Sequence, residues 1–324
     1  MSGDLGRVVV LAGGLSHERD VSLRSGRRVV DGLRHVGVEA DLVDPDGRLL
    51  ADFDAHRPDV VFLALHGGAG EDGAVRGVLD LLGIPHVGSP PAACRLAWDK
   101  PSAKAVVHEA GLQTPDYVAL PHTTFRELGA GQLLDRIVDR LGLPLMVKPT
   151  SGGSALGAQV VDEVDGLAEA MVSCFSYADT ALVEQYVRGT EVAVTVVEDR
   201  DGPQALPAVE IVPVEGVFDY TARYTAGSTR YFAPARLAPE TAAEVARVAV
   251  RAHQVLGLRD LSRTDLVVTP QGVVQFLEVN SAPGMTETSL TPMAVEAAGR
   301  DLGEVCRDLL LQARRRGGAE LTRV

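Results

Sequence analysis

The sequence predicts an α/β domain followed by two α+β domains, and three observations lead to this prediction. Apolar strands and helical patterns alternate in the N-terminal third, as in parallel sheets covered by helices. Beyond residue 189 the strand patterns follow one another, which indicates an antiparallel sheet. The length of 324 residues suits two or three compact domains. We predict the domains 1–94, 95–187 and 188–324.

The first predicted domain contains two βα units whose strands end in glycine-rich turns. Residues 7–14 form the first strand and turn, and residues 21–36 form the helix. A second strand at residues 59–65 leads into the loop 66–73 and the helix 74–82. Ligands of open α/β sheets bind beyond the carboxyl ends of the strands, so these two loops predict a ligand crevice.

The two later domains are predicted from shorter patterns. Helices are expected at residues 100–110, 132–141 and 239–256. Strands are expected at residues 144–148, 181–184, 191–198, 205–212, 266–269 and 273–279. Residues 150–157 are rich in Gly and Ser, and residues 217–232 are rich in Tyr, Thr and Gly without apolar periodicity. A polar loop as long as the second is usually either functional or disordered.

Composition and charge restrict the class of protein. Hydrophobic residues make up 46% of the chain and aromatic residues only 4%, which fits aliphatic α/β domains. Three scattered cysteines without zinc or disulfide spacing indicate a reducing compartment. The N-terminus has no basic leader, and no apolar run reaches the roughly 18 residues of a membrane span. The net charge of −13 disfavours nucleic acid. We therefore expect a cytoplasmic protein that binds neither nucleic acid nor membrane.

Lysine is scarce, and its positions are informative for that reason. Only Lys100, Lys104 and Lys148 are lysines among the 31 basic residues, so arginine is used almost wherever a cation will serve. Lys148 ends an apolar strand and precedes the Gly/Ser loop. This order is the reverse of GxxxxGK[ST], which excludes a P-loop but leaves phosphate binding by a flap open. A single lysine at a strand end is usually structural, but the scarcity of lysine favours function.

Three oxygen-bearing side chains are spaced to converge on a metal ion. Glu278 and Asn280 lie two residues apart on a predicted strand and therefore face the same side, and Asp265 on the adjacent strand can converge with them. Two carboxylates and an amide suit Mg²⁺, which completes its shell with water and phosphate oxygens. A solvated polar face of an edge strand explains these three residues equally well. The following run, residues 281–290, is dense in hydroxyls and backbone donors that could hold an anion.

Six segments together resemble the D-alanine–D-alanine ligases of the ATP-grasp superfamily over almost the whole chain. They are GGLSHERDVSL (13–23), HGGAGEDG (66–73), KP (148–149), DYTARY (219–224), RTD (263–265) and EVNSAPGMTETSL (278–290). Each segment alone has little specificity, but six in the family's order at similar spacing are strongly specific. The resemblance implies an ATP-grasp fold, in which an N-terminal substrate-binding domain precedes two α+β domains that sandwich ATP.

The resemblance also implies an activity. The carboxylate of a first D-alanine would take the γ-phosphoryl group of ATP, and the amine of a second D-alanine would attack the resulting acylphosphate. The product would be D-alanyl-D-alanine for peptidoglycan precursors. The implied partners are ATP, two Mg²⁺ (or Mn²⁺) ions and the amino acids, and the resemblance alone suggests a homodimer.

Residue roles follow from the same resemblance. The implied catalytic residues are Glu18, Ser154, Tyr224, Arg263 and Ser289. The implied substrate contacts are Glu18, His66, Gly284, Ser289 and Leu290. The implied ATP contacts are Lys100, Lys148, Ser154, Glu184, Glu191 and Arg223, and the implied metal ligands are Asp265, Glu278 and Asn280. Glu18 would hold the first ammonium with Ser154 and Tyr224 beside it, although a glutamate near a helix N-terminus also has a simpler electrostatic explanation.

Two positions depart from the family pattern. Arg223 stands where lysine is common before the tyrosine, so a guanidinium would replace an ammonium at a phosphate contact. Ala155 follows Ser154 where a second serine is usual, which removes a hydroxyl. Residues 88–100 also differ from the usual run of small residues.

Two other functions stay open at the level of sequence. One is an ATP-grasp amine ligase with a different second substrate, a choice that Ser289, Leu290 and the loop 220–231 would make. The other is a nucleotide-binding module without turnover. The complete set of Arg263, Asp265, Glu278 and Asn280 argues against that module.

Overall fold

The fold is built on three sheets. We analysed a computed structural model, which describes residues 5–214 and 227–320. Tyr224 and Arg223, with the rest of the motif 219–224, lie outside these residues. Within them, no helix combines the length and the apolar character that crossing a bilayer requires.

The first sheet is parallel, with strand order β2-β1-β3. Its strands are β1 (Val8–Leu11), β2 (Ala40–Val43) and β3 (Val60–Leu63), and its helices are α1 (Arg19–His35), α2 (Leu49–Ala55) and α3 (Ala74–Leu81). All residues of β1 and β3 are buried, which matches their continuous apolar sequences. Both predicted βα units are confirmed, whereas β2 and α2 were not predicted.

The second sheet is antiparallel, with strand order β4-β7-β5-β6. Its strands are β4 (Tyr117–Pro121), β5 (Leu145–Pro149), β6 (Gln159–Val161) and β7 (Thr180–Gln185). The helices of this part are α4 (Pro91–Trp98), α5 (Lys100–Glu109), α6 (His122–Leu128), α7 (Ala130–Leu141) and α8 (Leu167–Phe175). The Gly/Ser flap, residues 150–157, connects β5 to β6.

The third sheet is also antiparallel, with strand order β11-β10-β8-β12-β13 and β9 paired with β8. Its strands are β8 (Thr190–Asp199), β9 (Gly202–Ala205), β10 (Val209–Pro213), β11 (Thr229–Phe232), β12 (Leu261–Val268) and β13 (Val274–Asn280). The helices are α9 (Pro239–Val255), α10 (Leu290–Ala297) and α11 (Leu302–Glu320). Buried aliphatic residues of α9 pack against this sheet.

Three predictions in this part were wrong in detail. The strand predicted at residues 205–212 is two strands, because Pro207 between them has no N–H to continue a ladder. The predicted loop 217–232 ends in the strand β11, which pairs with β10. The strand predicted at residues 266–269 is longer, because β12 begins at Leu261 and includes Arg263.

The last helix joins the core of the first sheet. α11 packs along α1, and the backbones meet closely where a Cβ on Gly303 would lie 2.1 Å from the carbonyl oxygen of Gly32. Arg316 on α11 donates two hydrogen bonds of 2.6 Å to the fully buried carboxylate of Asp260, just before β12. The C-terminal helix therefore ties the first sheet to the third.

Candidate active site

Two adjoining cavities lie where the three parts of the chain meet. The larger, of about 400 Å³, is enclosed by the flap and by strands of the second and third sheets. The smaller, of about 100 Å³, is enclosed by loops of the first and third sheets and by the flap. Among the described residues, Lys100, Gly152, Gly153 and Glu278 line both cavities. A molecule in one cavity could therefore contact a molecule in the other at these residues.

The larger cavity contains most of the residues predicted to bind ATP. Lys100, Lys148, Glu184 and Glu191 all line it. Ser154 lines the smaller cavity instead, and Arg223 lies outside the described residues. Lys100 starts α5, and its ammonium donates to the carbonyl oxygen of Gly152 in the flap at 2.9 Å.

A buried row of charges forms one wall of the larger cavity. The carboxylate of Glu184 lies between Lys104 Nζ at 2.8 Å and Lys148 Nζ at 2.5 Å. Burial opposes the negative charge of Glu184, but Lys148 and Lys104 outweigh it, so its pKa lies below the usual value. Burial lowers the pKa of Lys104 to about 8. The sequence distinguishes Lys104 only as one of three lysines, and in the structure all three lysines meet at this site.

A second charged pair on this wall was not predicted. Arg236 forms two hydrogen bonds with the buried carboxylate of Glu210, at 2.9 and 2.7 Å, and its guanidinium stacks 3.6 Å from the ring of Phe232. Both charged residues line the larger cavity. Their contact spans 26 residues of sequence, and no local pattern pairs them.

The strands β12 and β13 present four polar side chains on one face. Their antiparallel register places Asp265 opposite Glu278 and Arg263 opposite Asn280. Arg263 donates to both carboxylate oxygens of Asp265, at 2.7 and 2.8 Å. Burial opposes the charge of Arg263, but Asp265 outweighs it and raises the guanidinium pKa. Asp265 and Glu278 open into the larger cavity, and Arg263, Glu278 and Asn280 open into the smaller one.

This oxygen-donor set fits a hard divalent cation. Two carboxylates face each other across the strand pair, with an amide oxygen two residues along. The Asn280 oxygen also accepts from the N–H of Ala282 at 2.7 Å, which holds the amide in place. Among the described residues, no cluster of three or more His, Cys, Asp or Glu side chains is arranged for a metal. The role of the three predicted ligands stays a prediction.

In the smaller cavity, the flap contacts the first domain through Glu18. The hydroxyl of Ser154 donates to the Glu18 carboxylate, and Tyr224, the third predicted partner, lies outside the described residues. A Cβ on Gly67 or on Gly153 would lie 2.7 Å from that carboxylate, so glycine at both positions lets the backbone approach Glu18 closely. Glu18 stands at the N-cap of α1 without capping it, and its charge therefore faces the cavity.

His66 lines the same cavity, but both of its ring nitrogens contact protein atoms. Nδ1 lies 3.1 Å from the carbonyl oxygen of Ala282, and Nε2 lies 2.8 Å from the hydroxyl of Ser25. Burial lowers the His66 pKa to about 4, so the ring is neutral at pH 7. The predicted substrate contact of His66 remains a prediction.

The loop 281–290 closes the smaller cavity, where Gly284, Ser289 and Leu290 line it. Leu290 begins α10 and Ser289 is its N-cap, so the run predicted as a loop ends in a helix. Backbone N–H groups at a helix N-terminus favour a negatively charged group. This end of the cavity therefore suits a carboxylate.

Glu71 is a second carboxylate in the smaller cavity, and it was not predicted. It is 6% exposed and accepts a hydrogen bond of 2.9 Å from the N–H of Gly67. Burial, followed by the negative charge of Glu18, raises the Glu71 pKa to about 7, while Gly67, Arg263 and Lys100 act in the opposite direction. The cavity thus holds two carboxylates that repel each other, and a ligand with an ammonium group would relieve that repulsion.

The fold and these cavities define the class of ATP-grasp enzymes, and comparisons with known proteins identify the family. Residues 106–311 match the D-ala D-ala ligase C-terminus, and residues 48–89 match the D-ala D-ala ligase N-terminus. The D-alanine–D-alanine ligase of Anaeromyxobacter dehalogenans is 41% identical over 304 residues, which cover 94% of this chain and 96% of that one. The chain belongs to the D-alanine–D-alanine ligase family. The predicted family and fold class are confirmed.

Two solved structures extend this comparison. The D-alanine–D-alanine ligase of Bacillus anthracis complexed with ATP has a TM-score of 0.81 at 29% identity and covers 98% of this chain and 100% of that one. The VanG D-Ala:D-Ser ligase of Enterococcus faecalis has a TM-score of 0.80 at 27% identity and covers 95% of this chain and 99% of that one.

Replacing Glu71 by glutamine should change how stability depends on pH. Below about pH 4.5 the wild-type carboxyl is protonated in both the folded and the unfolded state. As the pH rises towards 7, the wild-type protein loses stability because its folded-state pKa is raised, whereas Glu71→Gln does not. We therefore expect the unfolding free energy of Glu71→Gln, measured relative to that of the wild type, to increase by on the order of 2–3 kcal/mol between pH 5 and pH 8.

Urea unfolding at both pH values measures this shift. Glu127→Gln, which removes an exposed carboxylate on α6, is the control. A Glu71→Gln difference that stays constant across the two pH values would contradict the prediction.

Proposed function

We propose that this chain joins two D-alanine molecules at the expense of ATP, forming D-alanyl-D-alanine for peptidoglycan precursors. The observation that carries the proposal is the pair of cavities that meet at Lys100, Gly152, Gly153 and Glu278. The larger one has the volume and the cations that a nucleotide requires. The smaller one has room for small amino acids and groups for both an ammonium and a carboxylate. Family membership supports the same activity.

The first amino acid is proposed to bind at Glu18. Its ammonium would pair with that carboxylate, which Ser154 holds from the flap. Glu71 adds negative charge to the same cavity, and a bound cation would favour its ionised form. The substrate carboxylate would then point to the junction of the cavities, where Lys100 lies. This orientation brings the carboxylate to the end of the nucleotide that carries the transferable phosphoryl group.

Phosphoryl transfer depends on positioning and on charge. We propose that Lys100 and Lys148 bind phosphate oxygens, while Glu184 and Glu191 contact the adenine and the ribose. Asp265, Glu278 and Asn280 are the residues proposed to hold Mg²⁺ or Mn²⁺, two ions by resemblance. Bound divalent cations neutralise the charge that develops on transferred phosphoryl groups. Arg223 is proposed as a further phosphate contact by resemblance alone.

In the second step, the amine of the second amino acid attacks the acylphosphate carbonyl carbon. The new C–N bond forms, the C–O bond to phosphate breaks, and inorganic phosphate leaves with the proton that the amine loses. Arg263 and the N–H of Gly284 are proposed to stabilise the oxyanion of the tetrahedral intermediate. Ser289 and the backbone of Leu290 would bind the second carboxylate at the N-terminus of α10.

Further proposals concern organisation. The domain limits 1–94, 95–187 and 188–324, a cytoplasmic location and a homodimer are proposed from sequence and resemblance. In this division, the first domain binds amino acids and the other two enclose ATP.

Release of ADP, coupled to a spectrophotometric assay, tests the activity directly. We expect ADP release to depend on D-alanine, with one D-alanyl-D-alanine formed per ADP. Turnover with D-serine or D-lactate as acceptor but not with D-alanine would instead support a different second substrate. Tight ATP binding without turnover on any of these acids would overturn the proposed ligase activity.

Replacing Glu278 by glutamine should abolish phosphoryl transfer while leaving the fold intact. The carboxylate lies at the junction of the cavities, and its side chain is 27% exposed, so it contributes little to the core. We expect kcat to fall by on the order of 100-fold or more with an unchanged unfolding midpoint. Glu296→Gln, on the exposed side of α10, is the control. Full activity of Glu278→Gln would remove this residue from the proposed metal site.

Replacing Lys104 by methionine should weaken the binding of ATP. Without Lys104, the buried carboxylate of Glu184 would pair with Lys148 alone. That stronger ion pair would compete with the proposed contact between Lys148 and the phosphates. We expect the KM for ATP to rise about tenfold, the equivalent of about 1.4 kcal/mol, while the KM for D-alanine stays within about twofold. Arg95→Met removes an exposed cation from the neighbouring helix α4 and serves as the control. An unchanged KM for ATP in a folded Lys104→Met protein would contradict this role.

A further inference from the structure

We propose that Ser25 and Arg76, two buried residues of the first domain, are positioning residues for the loop 281–285 that closes the amino-acid cavity. This inference rests on the proposed ligase activity and adds to it. Neither side chain lines the described part of either cavity. Both act through hydrogen bonds to the loop that carries Gly284.

The directions of the hydrogen bonds around Ser25 can be assigned. The carbonyl oxygen of Ala282 can only accept, so Nδ1 of His66 must carry the ring proton. The buried ring is neutral, and its Nε2 therefore accepts from the hydroxyl of Ser25 at 2.8 Å. The oxygen of Ser25 in turn accepts from the N–H of Met285 at 3.0 Å.

This series of hydrogen bonds begins and ends on the same loop. It runs from the N–H of Met285 through Ser25 and His66 to the carbonyl oxygen of Ala282. Ser25 is fully buried on α1, so water cannot replace its hydroxyl without a rearrangement. Gly284 lies between the two ends of the chain. The two hydrogen bonds therefore fix the backbone whose N–H is proposed to bind the oxyanion.

Arg76 holds the same loop from α3. Its guanidinium is 1% exposed and donates to the carbonyl oxygens of Gly70 at 2.6 Å and of Ser281 at 3.4 Å. In the part of the chain that the structure describes, it forms no ion pair with a carboxylate. The hydroxyl of Ser281 also donates to the backbone carbonyl of Glu71 at 3.4 Å. Arg76 thus joins the loop 66–73 to the loop 281–285, one on each side of the smaller cavity.

The consequence for catalysis is geometric. Loss of these hydrogen bonds would free one wall of the smaller cavity, where the amino acids are proposed to bind. The larger cavity, where ATP is proposed to bind, would keep all its described lining residues. A displacement of about 1 Å at a reacting centre can cost on the order of 100-fold in rate. A defect in Ser25 should therefore appear in the parameters for the amino acids and not in the KM for ATP.

Ser22 offers a matched control one helical turn earlier. It is also fully buried on α1, and its hydroxyl accepts from the N–H of Gly13 at 2.8 Å and donates to the carbonyl oxygen of Ala64 at 2.8 Å. Ser22→Ala and Ser25→Ala thus remove the same atom and the same number of hydrogen bonds. Of the two serines, only Ser25 forms hydrogen bonds with the loop 281–285 and with His66.

The first measurement is steady-state kinetics of both variants. We expect Ser25→Ala to raise the KM for D-alanine about tenfold and to lower kcat, with the KM for ATP within about twofold of wild type. Ser22→Ala should leave all KM values unchanged. A merely structural role of Ser25 would reduce the fraction of folded enzyme and hence kcat alone. Arg76→Met, if it folds, should show the same division between the two substrates as Ser25→Ala.

Hydrogen exchange provides a second readout that does not depend on turnover. We expect amides in the segment 281–289 to exchange about tenfold faster in Ser25→Ala than in wild type, and to be unchanged in Ser22→Ala. Unchanged exchange in Ser25→Ala, or equal effects of the two variants, would overturn the positioning role. An inactive wild-type protein would overturn the proposed function, while the exchange measurement would still decide whether Ser25 holds the loop.

Discussion

The antiparallel pairing of β12 with β13 places Asp265 opposite Glu278, and the arrangement of charged groups where the two cavities meet depends on this register. A shift of β13 by one residue would turn Glu278 and Asn280 to the face of the sheet opposite Arg263 and Asp265. The two hydrogen bonds from Arg263 to Asp265 then orient a guanidinium towards the smaller cavity while the carboxylate opens into the larger one. One strand pair therefore supplies the guanidinium of Arg263 to the smaller cavity and the carboxylate of Asp265 to the larger one.

Most buried charges on the other walls of the cavities are neutralised by an oppositely charged partner. Lys104 and Lys148 both form ion pairs with the carboxylate of Glu184. One of the two ammonium groups can therefore bind a ligand while the other still neutralises the buried carboxylate. Arg236 and Glu210 satisfy each other in the same cavity. Glu18 and Glu71 are the exception, since the negative charge of Glu18 adds to burial in raising the pKa of Glu71. The net charge around the smaller cavity is thus suited to a positively charged ligand group.

Much of this arrangement could be predicted from local patterns. β1 and β3 are continuous aliphatic runs that end in glycine turns, and the spacing of Glu278 and Asn280 on a strand places them on one face. β2 is half exposed and β9 contains Pro203, so neither has a recognisable strand pattern. Ser25 could not be found because its partner Met285 lies 260 residues away. Lys104 was conspicuous only as a rare residue, and its role depends on Glu184, which the fold brings to it.

The two cavities separate the choice of substrate from the chemistry. The larger cavity, where ATP is proposed to bind, lies between the second and third sheets, whereas the second amino acid is proposed to bind at the N-terminus of α10. A D-Ala:D-Ser ligase shares the fold, so the fold alone does not select the second substrate. We expect the selection to come from side chains near Ser289 and Leu290 and from the position in which the loop 281–285 is held. Hydrogen bonds from the first domain hold that loop, and therefore residues that contact no substrate can still influence which acceptor fits.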